Sequence, residues 1–436
     1  MRPIRGFIRS LDPRLPREVY VLQAGGLVNA FGNGVVLPFL IIYLHNVRGI
    51  SLGLAGLAAA TQSATALASG FVAGSSSDRL GPRRVLLASL AVMALAFGLM
   101  PLIRTPLNAF ALYVLWGVGS GAFWPAQSAL LAGLTASSRR AAAYALQRLT
   151  MNLGVALGGI VAGLIASVGD PGSFTILFLI DVATFLAYFV VVVLRVPAPA
   201  LHPDRAGGSW RLVARDRTMV SFSLLNAVFM ASAIAAMVEL LPPFAKNVAD
   251  VSEREIGVVF ALDSIGVVVL QLPVAKLSEG RRRMHGLALM GVVWAAALLA
   301  VWAGGAFTTA TAAAAVFAAA TLTFAFGETL HGVIHAPLSA DLAPARLVGR
   351  YLALASLSWQ AGWIVGPAVG GFFLQRAPLA LWPTAAGVNL LCAGWALRLE
   401  RRLPEAVRRT PRSDVPAGLP AGSSGYYDEH DPVGDL

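Results

Sequence analysis

Charge is scarce in this sequence. Only 13% of its 436 residues are charged, against roughly 25% in an average soluble domain. With 57% of residues hydrophobic and a mean hydropathy of +0.71, a soluble globule of this length would leave too much apolar surface in water. Lipid must cover it instead. Cysteine is nearly absent too: Cys392 stands alone inside an apolar run, which excludes a disulfide framework or a thiolate metal site within one chain. Missing as well are any metal-ligand spacing, any GxxxxGK[ST] phosphate loop and any recognisable nucleophile arrangement. No metal and no cofactor is therefore expected, and an ATP-driven pump is disfavoured. The basic leader (Arg2, Arg5, Arg9, Arg14, Arg17) is followed by a long apolar run without a small-residue cleavage site, so that run reads as a first membrane span and not a removed signal.

What is present is a series of apolar runs, each near the length of about 20 residues that a spanning helix needs. They fall near 19–44, 53–77, 85–103, 107–134, 141–167, 173–194, 218–245, 255–278, 284–304, 309–338, 350–375 and 379–398. The fold class expected is all-α, with twelve transmembrane helices in two bundles of six. The chain then divides into a leader (1–18), a first bundle (19–194), a linker (195–217), a second bundle (218–398) and a tail (399–436) expected to be disordered. Within the linker, Trp210 to Arg217 suits a short basic helix on the membrane surface. Of 33 basic residues, 27 fall on the side of the termini, five on the other, and Arg148 lies inside a span. That bias predicts cytoplasmic termini and an inner-membrane location. It also removes the case for nucleic acid that a net charge of +11 would otherwise raise, because the charges sit in short clusters between spans.

The two halves repeat each other. Span five carries Gly154, Gly158 and Ala162 at four-residue spacing; span eleven carries Gly362, Gly366 and Gly370, with Pro367 and Gly371 alongside. Four-residue spacing puts small residues on one helix face, where a second backbone can approach. A six-span unit used twice is the arrangement expected of a transporter that rocks its halves about a midplane site.

The loop after span two runs Gly74-Ser75-Ser76-Ser77-Asp78-Arg79-Leu80-Gly81-Pro82-Arg83-Arg84. It resembles the signature loop of the major facilitator superfamily, and the likeness extends over roughly 19–398, closest to the twelve-span drug:proton antiporter branch. The resemblance implies a gating role for Gly74, Asp78, Arg79, Gly81, Arg83 and Arg84, with Asp78 as a latch between domains. It departs from the family pattern in three places. The matching loop of the second half has Ser278 where Asp78 would align; Gly159 stands where the antiporters place a proline in span five; and Tyr113 stands where proton-coupled relatives usually carry an arginine.

Charges inside spans are costly and usually functional. They are Arg148, Asp181, Glu239, Asp263 and Glu328. The resemblance puts all but Asp181 near the transport pathway. Glu328, His331 and His335 follow at i, i+3 and i+7, one face of a helix, where a carboxylate and imidazoles can pass a proton or hold a cation. The histidines equally suit an inner vestibule. Asn29 and Asn33 share a face of span one and suit either substrate or helix contacts. Trp116, Phe123, Trp124, Phe229, Trp359 and Trp363 are candidates for an apolar pocket, or for packing.

The expectation is a secondary transporter working by alternating access, exporting small hydrophobic or amphipathic compounds in exchange for protons, monomeric, with the lipid bilayer and a small-molecule substrate as its partners. A carrier of a defined metabolite is the alternative, with Arg148 suited to an anion. A membrane-embedded enzyme or scaffold is the alternative of another class.

Overall fold

The computed structural model describes residues 15–136, 139–198, 210–307, 309–344 and 347–411. Among the described residues there are twelve long helices. In the first half they are α1 (Arg17–Val47), α2 (Leu52–Leu80), α3 (Pro82–Leu102), α4 (Pro106–Leu134), α5 (Arg140–Ile165) and α6 (Pro171–Arg195). The second half contains α7 (Arg217–Asn247), α8 (Glu253–Ser278), α9 (Arg283–Phe307), α10 (Ala310–Asp341), α11 (Val348–Arg376) and α12 (Pro378–Glu400). Eleven are long and apolar enough to cross a membrane; α2 has the length, 29 residues, with a smaller and more polar composition. Large apolar side chains such as Leu107, Leu272 and Leu391 point outward from the bundles, as a lipid-facing surface requires.

Local chemistry sets the helix ends. Proline opens α3, α4, α6 and α12, where its missing N–H costs nothing. Ser51, Thr105, Asp170 and Asp216 cap α2, α4, α6 and α7 through their side-chain oxygens. At α8, Ser252 and Glu255 cap each other's backbone. Gly81 turns the chain between α2 and α3 at φ +87°, a conformation glycine tolerates.

Glycines decide how closely the helices meet, and they do so twice. A Cβ at Gly158 on α5 would lie 2.1 Å from the carbonyl oxygen of Phe31 on α1; one at Gly154 would lie 2.6 Å from that of Leu27. In the second bundle, Gly362 and Gly366 on α11 meet Met230, Ala231 and Ala235 on α7 just as tightly, and Gly370 meets Leu240. The same two helices also join the halves. Gly163 on α5 faces Gly257 on α8, while Gly371 on α11 faces Gly56 and Leu52 on α2, and Pro367 on α11 sits under Gly56. The α5–α1–α8 arrangement is thus the counterpart of α11–α7–α2.

Two segments differ from or extend the sequence reading. Trp210–Arg215 is helical, and Asp216 stops it and caps α7. The start of the tail, expected without structure, is ordered: Glu405–Val407 form a turn of helix, and Arg408–Thr410 lie antiparallel to the loop between α8 and α9. Gly280 N–H donates to Thr410 O (2.9 Å), Thr410 N–H to Arg281 O (3.0 Å) and Arg283 N–H to Arg408 O (2.8 Å). The physical reason is that this loop and the first turn of α9 have unpaired backbone groups, which the returning chain satisfies. Residues 412–436, the leader up to 14 and linker residues 199–209 lie outside the described residues.

Candidate functional site

The halves are joined at the ends of the helices away from the chain termini. There the α5–α8 and α2–α11 glycine contacts are supplemented by hydrogen bonds across the interface. Asn46 Nδ2 on α1 donates to Asn247 Oδ1 on α7 (2.6 Å), Val168 N–H donates to Glu253 Oε1 (3.0 Å), and Gly53 N–H to Gln375 Oε1 (3.1 Å). The protein is closed on the side opposite its termini.

Below that seal, charged side chains of both halves converge. Arg148 on α5 reaches α10: a Cβ at Gly332 would lie 3.0 Å from both Nη1 and Nη2 of its guanidinium. Glu328 stands one turn away from Gly332 on α10. Arg148 acts electrostatically on Glu328 and on His331, and Glu328 acts on Asp263 of α8. All three of Arg148, Glu328 and Asp263 are half-buried, and among the described residues none is in direct ion-pair contact with another. One cation and two carboxylates from α5, α8 and α10 thus share a site between the halves without neutralising one another by contact.

Asp263 also lines a small apolar pocket of about 30 Å³ between α7, α8 and α10, walled by Met237, Phe260 and Phe317, with Thr321 beside them. Asp263 Oδ1 and Thr321 Oγ1 are buried and without a hydrogen-bond partner among the described residues. Buried polar atoms are normally satisfied, so each of the two can take a further hydrogen-bond partner. Sequence reasoning missed Met237, Phe260, Phe317, Thr321 and Gly332, because they read as ordinary span residues. Only the approach of distant helices gives them a place.

Glu239 sits where α7 widens into π turns between Met230 and Leu240, a distortion common at functional sites. It is within electrostatic reach of Tyr113 on α4 of the other half. Its Oε2 is buried and unpartnered among the described residues. α1 breaks its regular winding at the equivalent place, around Pro38. Asp181 is fully buried on α6 beside Thr184 and Gly32 of α1.

The face shared by Glu328, His331 and His335 divides in the structure. Both histidines are buried inside the second bundle. Nε2 of His331 pairs with Asn226 Oδ1 of α7 (2.7 Å), and Asn226 Nδ2 donates to Ser358 Oγ of α11 (2.8 Å). The two imidazoles stack at 4.7 Å, and His335 stacks on Phe222 at 5.1 Å. Asn29 is buried on α1 and Asn33 half-buried one turn on; Asn152 Nδ2 donates to Arg148 O (3.0 Å). Of the aromatic candidates, Trp116 packs on Phe97 and Tyr113, and Phe229 on Trp294, so both serve the core of their own bundle.

In the signature loop, Arg83 does not reach across to the other half. Its Nε and Nη2 donate to the carbonyls of Val192 and Val193 at the end of α6 (3.3 and 2.7 Å), where a cation suits the helix dipole. Arg79 and Arg84 are exposed. Gly74 and Asp78 lie on the helical backbone of α2, but the Asp78 side chain, and with it the expected latch, lies outside the described residues. In the second half Arg283 pairs with Asp341 of α10 (2.6 Å), and Glu400 of α12 pairs with Arg282 (3.1 Å) and with His285.

Solved structures of the same architecture include peptide transporter POT in complex with sulfate (TM-score 0.72, 15% identity, 89% of this chain and 95% of that one). A bacterial homolog of the human lysosomal transporter Spinster, in an inward-facing and occupied conformation, is similar as well (TM-score 0.69, 14% identity, 90% and 98%). By sequence the chain is similar to the uncharacterized MFS-type transporter YhjO of Bacillus subtilis (strain 168), 25% identical over 92% of this chain and 98% of YhjO. It is also similar to the multidrug resistance protein MdtH of Salmonella newport (strain SL254), 24% identical over 92% and 97%. The family profile matches residues 23–327 and 240–423. With its fold, its paired bundles and this match together, the chain belongs to the Major Facilitator Superfamily of membrane transporters.

Proposed function

We propose that this transporter exports small hydrophobic or amphipathic compounds from a bacterial cell in exchange for protons, with both termini in the cytoplasm. The observation that carries the reading is the triad of Arg148, Glu328 and Asp263, held between the halves and not locked into ion pairs. A carboxylate in such a place can exchange a proton for a cationic or polar substrate group as access alternates. Glu328 is the first candidate for the proton, because Arg148 from the opposite half faces it; Asp263 is the second, because it also lines the apolar pocket. That pocket has mostly apolar walls and one carboxylate, a lining that suits an apolar substrate group beside a polar one, and at about 30 Å³ it takes a small group and not a whole drug-sized molecule. MdtH, a relative over nearly the whole chain, is named a multidrug resistance protein, which supports the substrate class. The seal away from the termini makes the state described here an inward-facing one under this orientation.

The test is dye and drug flux in proteoliposomes under an imposed pH gradient. Gradient-driven movement of lipophilic cations is expected, and Glu328→Gln is expected to fold but to lose the dependence on the gradient. Unchanged coupling in that variant removes Glu328 from the role. Failure of every dye, with folded and oriented protein, returns the reading to a defined metabolite, for which Arg148 provides the anion-binding charge.

A further inference from the structure

The second bundle carries a lateral groove whose lining does not include Arg148, Glu328 or Asp263. Helices α8 and α9 are consecutive, yet each packs on α10 and scarcely on the other. Their divergence leaves a cleft of about 350 Å³ at the ends nearer the chain termini. Its walls are apolar: Leu277 of α8, Leu289 of α9, and Leu330 and Ile334 of α10. Leu277 and Leu289 are 56% and 47% exposed, so the cleft opens sideways onto the surface that lipid covers. Its rim is basic. Arg281, Arg282, Arg283 and His285 line it, and Thr410 of the returning tail closes it at one end.

The rim charges are not equally engaged. Arg282 and His285 are held by Glu400. Arg281 is exposed. Arg283 is only 2% exposed, and while its Nη2 meets Asp341, its Nη1 is buried with no hydrogen-bond partner among the described residues. A guanidinium donor left unsatisfied in a buried place is costly, and here it borders a groove. A planar guanidinium with a spare edge matches a phosphate oxygen. The first turn of α9 begins at this same arginine.

We propose that this groove binds one anionic phospholipid, its phosphate against Arg283 and Arg281 and its acyl chains along the leucine-lined cleft between α8 and α9. Basic pockets between helices at this depth suit such headgroups. A free phosphate would satisfy the arginines but leave the apolar walls unused, so the lipid is the occupant that uses both parts. Because the groove includes Thr410, it also needs the tail to stay paired with the loop between the two helices.

The experiment uses the full chain with Leu289→Trp, a change at a half-exposed wall position, in nanodiscs. The added emission, taken against the parent protein, is read as brominated lipid replaces ordinary phosphatidylcholine. Brominated phosphatidylglycerol is expected to quench it at a mole fraction at least fivefold lower than brominated phosphatidylcholine does. Adding Arg281→Gln is expected to cut that preference at least threefold, and so is Arg283→Lys, which keeps the charge beside Asp341 but removes the planar edge. Inorganic phosphate at millimolar concentration should leave the quenching unchanged. Equal quenching by the two lipids overturns the proposal, as does a preference that both arginine variants retain. Displacement by inorganic phosphate would make the site one for small anions and would also overturn it.

Discussion

The guanidinium of Arg148, on α5 of the first bundle, lies against Gly332, on α10 of the second, one turn from Glu328. This contact bridges the halves at the level of the charged site. Gly332→Val is therefore expected to push the guanidinium aside and to slow transport about tenfold, while leaving expression and Tm near those of the parent, since a long flexible side chain yields more easily than backbone. Initial flux rates in proteoliposomes measure this. Arg148→Ala should be at least as slow; a fully active Arg148→Ala would remove the residue from the pathway.

The seal away from the termini offers a direct handle. Asn46 and Asn247 meet across the halves at 2.6 Å, and the chain's single native cysteine, Cys392, is buried. The pair Asn46→Cys and Asn247→Cys, bridged by a short bifunctional methanethiosulfonate, should stop transport, and reduction should restore it. Transport that continues through a fully formed cross-link would show that this end does not have to open.

The glycine contacts predict a graded stability series. Gly158→Val and Gly366→Val place atoms against the neighbouring helices α1 and α7 and should each cost roughly 1–3 kcal/mol. Gly387→Ala, with open space around it, should be near neutral. Thermal unfolding in detergent reads the order. Equal Tm values across the three would contradict the packing described here.

Asn226 ties His331 on α10 to Ser358 on α11. Asn226→Leu strands a buried imidazole nitrogen, while Ser358 Oγ keeps its bond to Ala355 O, at an expected cost of about 1–3 kcal/mol. Asn226→Gln, which keeps the amide but lengthens the arm, should recover part of it. If the leucine variant is as stable as the parent, the network is not a structural one, and its residues become candidates for substrate contact.

How much of this was legible beforehand depends on the range of the interaction concerned. Hydrophobic runs about as long as a bilayer is thick fix the number and approximate ends of the helices, because each span answers to its own composition. The glycine runs in α5 and α11 announce close packing for the same local reason. Their partners do not follow from spacing: that Gly154 meets α1 while Gly163 meets α8 is a property of how two bundles dock. The i, i+3, i+7 pattern puts Glu328, His331 and His335 on one face, yet α7 and α11 bury the two histidines and leave the glutamate between the halves. A helical face is broad enough to meet several neighbours. Polar composition predicts no structure for the tail, whereas Arg408 and Thr410 are held by backbone groups of a loop more than a hundred residues earlier. Local sequence determined the spans, their caps and which charges lie within them. Only the tertiary structure decided which of those charges meet, because the contacts that join them cross between helices whose separation in the chain carries no signal.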